Sequence, residues 1–240
     1  MNTIIDVSSQ SELSFAAYAN LDVGDNSDSD FISNNSNISA ALAISLASRY
    51  RVIDILNDAS TGAYAVVFEN KITGTRTLAV RGTTLTVADI AADAYLLIGV
   101  PSNLTPQYQA LESKVSQWQV AGVINSLTTL TGHSLGGYLV TALKSALPTT
   151  LGSAYTINAP GLGSVVGTAT QFFQNTFGLS MLASDVYDIR GTKGLSFIGG
   201  LGQHWGSPIP VEIEAAAGAG TDNHSIGRIN QPLAVLNLLA

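Results

Sequence analysis

The stretch Leu130-Thr131-Gly132-His133-Ser134-Leu135-Gly136-Gly137 decides how this chain folds. A β-rich run over residues 126–131 enters it, and a helix-like run over residues 138–147 leaves it. Leu135, Leu139, Ala142, Leu143 and Ala146 fall at helical spacing and give that helix one apolar face. Gly-x-Ser-x-Gly between a strand and a helix is the pattern of a nucleophile elbow. A serine hydroxyl is a weak nucleophile unless it is held clear of its own backbone beside a base, and a sharp strand-to-helix turn holds it there at the cost of backbone strain. Gly132 and Gly136 are then required where strand and helix approach too closely for a Cβ, and the amide of Leu135, at the start of the helix, faces a developing oxyanion.

Outward from the elbow, apolar strand-like runs alternate with helical ones. Upstream, a short N-terminal helix, a solvated Asp/Ser/Asn-rich loop over residues 21–37 and a helix over residues 38–56 lead into strands at 63–69 and 76–80, joined by Lys71-Ile72-Thr73-Gly74-Thr75 as a hairpin. Residues 106–120 carry Tyr108, Leu111, Val115 and Trp118 at helical spacing, as core contacts. Downstream, strands are expected at 153–158, 186–190 and 210–214, with a helix at 165–177. Strands alternating with helices imply one α/β domain spanning residues 1–240, its mainly parallel central sheet covered by helices on both faces.

Composition fits that reading and removes several function classes. The 240 residues are 46% hydrophobic and 11% charged, enough to fill one such core and too few for two large ones. A formal net charge of −7 and a pI near 4.7 argue against nucleic acid and against docking on strongly anionic membranes. Without cysteine there is no disulfide framework, thiolate metal site or cysteine nucleophile. Asp22, Asp25, Asp28 and Asp30 lack the glycine and terminal glutamate of an EF-hand loop at the required spacing, which favours a solvated loop over a calcium site. Residues 1–10 hold no basic residue and no continuous apolar run, so an ordinary secretory signal peptide is not expected, and no stretch reads as a transmembrane helix. Cytoplasmic residence and export by a signal-independent route both fit. Between Val115 and Ser184 the only formal charge is Lys144, as expected of a buried sheet with its helices or of an apolar mouth for a lipid.

The serine needs a base, and the chain offers His133, His204 and His224. His133 adjoins the nucleophile, so its side chain leaves the elbow in another direction. His204 lies before an expected strand and reads as a packed or hydrogen-bonded histidine. His224 follows Gly218-Ala219-Gly220-Thr221-Asp222-Asn223, a loop able to return over the sheet, and it occupies the last place in chain order that α/β-hydrolases give the histidine. The acid belongs between Ser134 and His224, where the carboxylates are Asp185, Asp188, Glu212, Glu214 and Asp222. Asp222 is too near His224 in sequence, and Glu212 with Glu214 alternate as a solvated strand face. Asp188, nearer the carboxyl end of its strand, is preferred to Asp185, with an ion pair to Arg190 as its other reading. For the second oxyanion donor, the run ending Val80-Arg81-Gly82-Thr83 points to Thr83.

With Val80-Arg81-Gly82-Thr83, Thr131-Gly132-His133-Ser134-Leu135-Gly136-Gly137, Asn158-Ala159-Pro160-Gly161 and Asn223-His224-Ser225 assembled over residues 63–230, the chain resembles the class 3 lipases, triacylglycerol lipases and phospholipases A1 of the α/β-hydrolase fold. The resemblance implies Ser134 as nucleophile, His224 as base and Thr83 in the oxyanion hole, with a lid near residues 84–90. It departs at the acid, because Asp188-Ile189-Arg190-Gly191 does not match the family's Asp-x-Val-Pro context. The expectation is therefore a serine ester hydrolase acting on acyl lipids through a Ser-His-Asp triad, without a cofactor, with a lipid ester as its partner and transient contact with a lipid interface. A soluble short-chain carboxylesterase and a noncatalytic lipid-binding module on the same scaffold are its rivals.

Overall fold

The computed structural model describes residues 3–32, 38–82, 105–161, 185–192, 204, 206–213 and 225–239. Its centre is a seven-stranded sheet whose strands lie side by side in chain order: β1 (Tyr50–Asp58), β2 (Ala63–Asn70), β3 (Arg76–Val80), β4 (Thr129–His133), β5 (Ala154–Ile157), β6 (Val186–Gly191) and β7 (Ser207–Val211). β1, β2 and β3 are antiparallel, and β3 to β7 run parallel. The change of direction follows from the connections. A five-residue turn closed by the Asn70 side chain on the amides of Ile72 and Thr73, with Gly74 at φ 69°, makes the expected hairpin. Parallel neighbours need crossovers long enough for a helix. Here α4 (Pro106–Val120) joins β3 to β4, and α5 (Leu135–Ala146) joins β4 to β5.

Alternation along the strands divides the core into two layers. Ala79, Tyr155, Ile157, Ile189 and Val211 pack beneath α1 (Ile4–Ala16), α3 (Ala40–Arg49) and α6 (Ile226–Leu239). Leu78, Val80, Leu130, Ala154 and Val186 pack beneath α4 and α5, against Tyr108, Leu111, Val115 and Trp118 of the former and Leu139 and Leu143 of the latter. Both faces of the mainly parallel sheet are thus covered, the α/β-hydrolase arrangement that the elbow implies.

Three local expectations are corrected. The helix expected over residues 38–56 ends at Arg49, and residues 50–58 form β1. From Val52 the β-branched Val52, Ile53 and Ile55 favour a strand, and Arg51 lies opposite Glu69 of β2, which it binds. The strand expected at 210–214 lies three residues earlier, at Ser207–Val211. There Pro208 and Pro210 alternate along an edge strand, so their missing N–H groups cost no ladder hydrogen bond. The loop expected over 21–37 contains a short helix, α2 (Asp28–Ile32), that buries Phe31. The helix expected at 165–177 and the lid near 84–90 lie outside the described residues. Among the described residues no helix is long and apolar enough to cross a membrane.

Candidate active site

β4 ends at His133, α5 begins at Leu135, and Ser134 makes the whole turn with φ 57° and ψ −127°. A side chain there costs about 1–3 kcal/mol, and the strain persists because both ends are fixed. The Ser134 amide donates to Ile157 O on β5 at 3.0 Å, and its carbonyl accepts from Tyr138 in the first turn of α5. Its hydroxyl makes no capping bond, is buried, and has no hydrogen-bond partner among the described residues. Beside it, Leu135 holds the first of the helix amides that lack an intrahelical acceptor.

Glycine is dictated at three positions here. A Cβ on Gly132 would lie 2.4 Å from the Gly136 carbonyl carbon, and one on Gly136 would lie 2.1 Å from Val80 O. At Gly137, which sequence reasoning did not single out, it would lie 2.5 Å from the Ala159 Cβ. These glycines let the start of α5 rest directly on the ends of β3, β4 and β5.

The exit of β3 meets the elbow at Gly82. A Cβ on Gly82 would lie 2.6 Å from His133 O and 3.3 Å from the Ser134 Cβ. Its amide donates to Tyr18 Oη at 3.1 Å, and the same oxygen is 3.0 Å from His133 Nδ1. The His133 ring thus turns to Tyr18, away from the nucleophile. Burial pushes the Tyr18 phenol well above its ordinary pKa, against the opposing effects of the Gly82 amide and Arg81, so it stays protonated. Thr83 and His224 lie outside the described residues; the latter immediately precedes Ser225, which leads into α6.

Asp188 is buried in the third position of β6, on the face that carries α4 and α5. Thr156 Oγ1 donates to its Oδ1 at 3.3 Å. Its Oδ2 accepts from Arg190 Nε at 2.6 Å and also from Arg190 Nη2, and lies 3.0 Å from His204 Nδ1. Burial raises the carboxyl's pKa, but the hydrogen bonds and positive charge of His204 and Arg190 outweigh it and hold the group below the usual carboxylate range. The expected Arg190 pair is present, and His204 joins it. The His204 Nε2 is buried and makes no hydrogen bond among the described residues.

Strand register places these groups relative to the nucleophile. Asp188 pairs with Thr156, and Thr156 with Gly132, so Asp188 stands two residues below Ser134 and two strands across. Usual strand spacings make that about 12 Å, which one imidazole bonded at both nitrogens spans. Asp185 precedes Val186, which is level with Ala154 and Leu130, and so lies about 16 Å down the strand direction from Ser134. There it is 4.0 Å from Lys144. Glu212 is exposed, Glu214 and Asp222 lie outside the described residues, and no cluster of three metal-ligating side chains forms among the described ones.

No family model matches the chain, and no curated protein matches it. Solved structures do. A mutant form of the MDLA protein of Penicillium cyclopium superposes with a TM-score of 0.62 at 12% identity, covering 93% of this chain and 86% of that one. The Lip2 lipase of Yarrowia lipolytica gives 0.55 at 15%, over 83% and 77%. The Rhizomucor miehei lipase in complex with its propeptide gives 0.54 at 14%, over 95% and 83%. The α/β-hydrolase fold of these proteins is the fold of this chain.

Proposed function

We propose that this chain is a serine ester hydrolase acting on acyl lipids. The observation that carries the reading is Ser134, strained at a strand-to-helix turn, its hydroxyl free of any capping bond and the exit of β3 packed against its Cβ. A histidine base takes the Oγ proton as Ser134 attacks the ester carbonyl, and the amide of Leu135 together with Thr83 holds the resulting oxyanion. The imidazolium then protonates the departing alcohol. Water, activated by the same histidine, releases the fatty acid from the acyl-enzyme.

His224 is the base on chain order and on the resemblance, with Asp188 orienting it. One observation favours a second reading, in which His204 is the base: its Nδ1 already holds Asp188, and its Nε2 has no hydrogen-bond partner among the described residues. The lipid substrate is supported by the nearly chargeless stretch from Val115 to Ser184 and by neighbours described as lipases. A fluorophosphonate probe tests the reading. It should label the wild-type protein and leave Ser134→Ala unlabelled and inactive; an active, folded Ser134→Ala protein would remove Ser134 as the nucleophile, and a folded wild-type protein that neither labels nor turns over esters would return the chain to the noncatalytic rival. Activity that rises steeply as a long-chain ester passes its solubility limit separates a lipase from the short-chain carboxylesterase.

A further inference from the structure

We infer that the Tyr18 phenol is a positioning residue that locks the oxyanion strand to the nucleophile elbow, an inference that rests on the hydrolase reading above. Tyr18 follows directly on the C-cap of α1, in a turn closed by its own amide on Phe15 O at 3.1 Å. Ala16, Ala17 and Ala19 around it are buried, so the ring stands on a fixed mount. Its oxygen reaches two backbone segments far apart in sequence: the Gly82 amide at 3.1 Å and the His133 ring at 3.0 Å. Gly82 immediately precedes Thr83, and His133 immediately precedes Ser134.

The protons fix the direction of the chain. The Gly82 N–H can only donate, so the phenol oxygen accepts it. The phenolic proton then goes to His133 Nδ1, the other partner of that oxygen among the described residues. Were Nδ1 protonated instead, both partners would donate to the phenol and its own proton would be left without an acceptor among the described residues in a part-buried place, an unfavourable arrangement. Gly82 N–H to Tyr18 O–H to His133 Nδ1 is therefore one polarised relay. It engages the Gly82 amide, which is then not available to an oxyanion, and it fixes the Arg81–Gly82 peptide against the elbow. There is little slack, because a single methyl on Gly82 would already meet Tyr18 Oη at 2.5 Å.

Such a residue touches neither substrate nor reacting atoms, and its loss misplaces a donor that matters mainly in the transition state. Tyr18→Phe, which keeps the ring and removes the oxygen, should lower kcat about tenfold or more and leave KM within about twofold, a smaller effect than deleting an oxyanion donor outright. His133→Leu breaks the relay at its other end and should give a similar loss. The double variant should be no worse than the more damaged single one, as for residues acting as a unit. Hydrogen exchange at the Gly82 amide should quicken in both single variants. Wild-type kcat in Tyr18→Phe, losses that multiply in the double variant, or a raised KM with unchanged kcat would each overturn the inference. So would failure of both single variants to fold, since the phenol would then be a core strut. If Ser134→Ala retains turnover the Ser134-nucleophile reading falls, whereas an inactive Ser134→Ala beside a fully active Tyr18→Phe removes the clamp alone.

Discussion

The Nδ1 atom of His204 lies 3.0 Å from Oδ2 of the buried Asp188, an approach that ties a residue just ahead of β7 to the middle of β6. It is the contact an acid makes when it orients a base, and it also suits an ion pair that only stabilises the fold. Either histidine, acting as the base, would cease to work once protonated, so a pH profile alone does not separate them. Paired variants do. With His224 as base, His224→Ala should match the loss in Ser134→Ala, and His204→Ala should keep measurable turnover at reduced stability. Inactive, folded His204→Ala beside active His224→Ala transfers the role to His204.

The same contact has a pH signature in stability. The Asp188 carboxyl titrates lower in the folded protein than in the unfolded chain, so the folded state binds its proton less tightly. The stabilisation is fully present above the unfolded value of about 3.9 and is lost as the pH falls through the lower folded value. At pH 7, Asp188→Asn leaves Arg190 and His204 without their counter-charge and should cost about 3 kcal/mol. Denaturant unfolding at pH 7 and near pH 3 checks this: the gap between wild type and variant should narrow in acid, and a constant gap assigns the loss to packing.

At the elbow the prediction is steric. A methyl on Gly136 would lie 2.1 Å from Val80 O and 2.9 Å from the Arg81 carbonyl carbon, both backbone atoms that move only with the strand. Gly136→Ala should therefore cost about 2–4 kcal/mol and reduce Ser134 labelling. Gly227, near the start of α6, is the control: its added Cβ would come no closer than 3.7 Å to the Ser225 hydroxyl. Gly227→Ala should be neutral or stabilising by up to about 1 kcal/mol. Equal urea midpoints for the two variants would remove the close approach of β3 and α5.

What the sequence disclosed follows from the range of the forces involved. The elbow, the β2–β3 hairpin and α4 were legible because local pattern and tertiary burial agree there; Thr105 caps α4 and Pro106 opens it, while its apolar residues keep one face. β1 was hidden because Ala40 to Arg49 sets a helical period that the β-branched residues after it do not visibly interrupt. β7 was displaced because prolines read as breakers when the edge position that accommodates them is unknown. The approach of His204 to Asp188 and the Tyr18 relay depend on which strands become neighbours. Periodicity marks which face a residue takes, but it carries no information about a partner 16 or 115 residues away.

Thr83 tests the oxyanion hole independently of the triad. The Gly82 amide is engaged by Tyr18, and in the proposed mechanism the role of second donor is given to the next residue, through its amide, its hydroxyl or both. The hydroxyl is separable. Thr83→Val preserves shape and removes that one hydrogen bond, so kcat should fall about a hundredfold while KM changes little, since the charge it stabilises exists mainly in the transition state. Thr83→Ser keeps the donor, gives up a methyl group and should retain most of the activity. Equal rates for Thr83→Val and wild type would leave only the amide as donor. A raised KM at unchanged kcat would instead make Thr83 a residue that packs against the substrate.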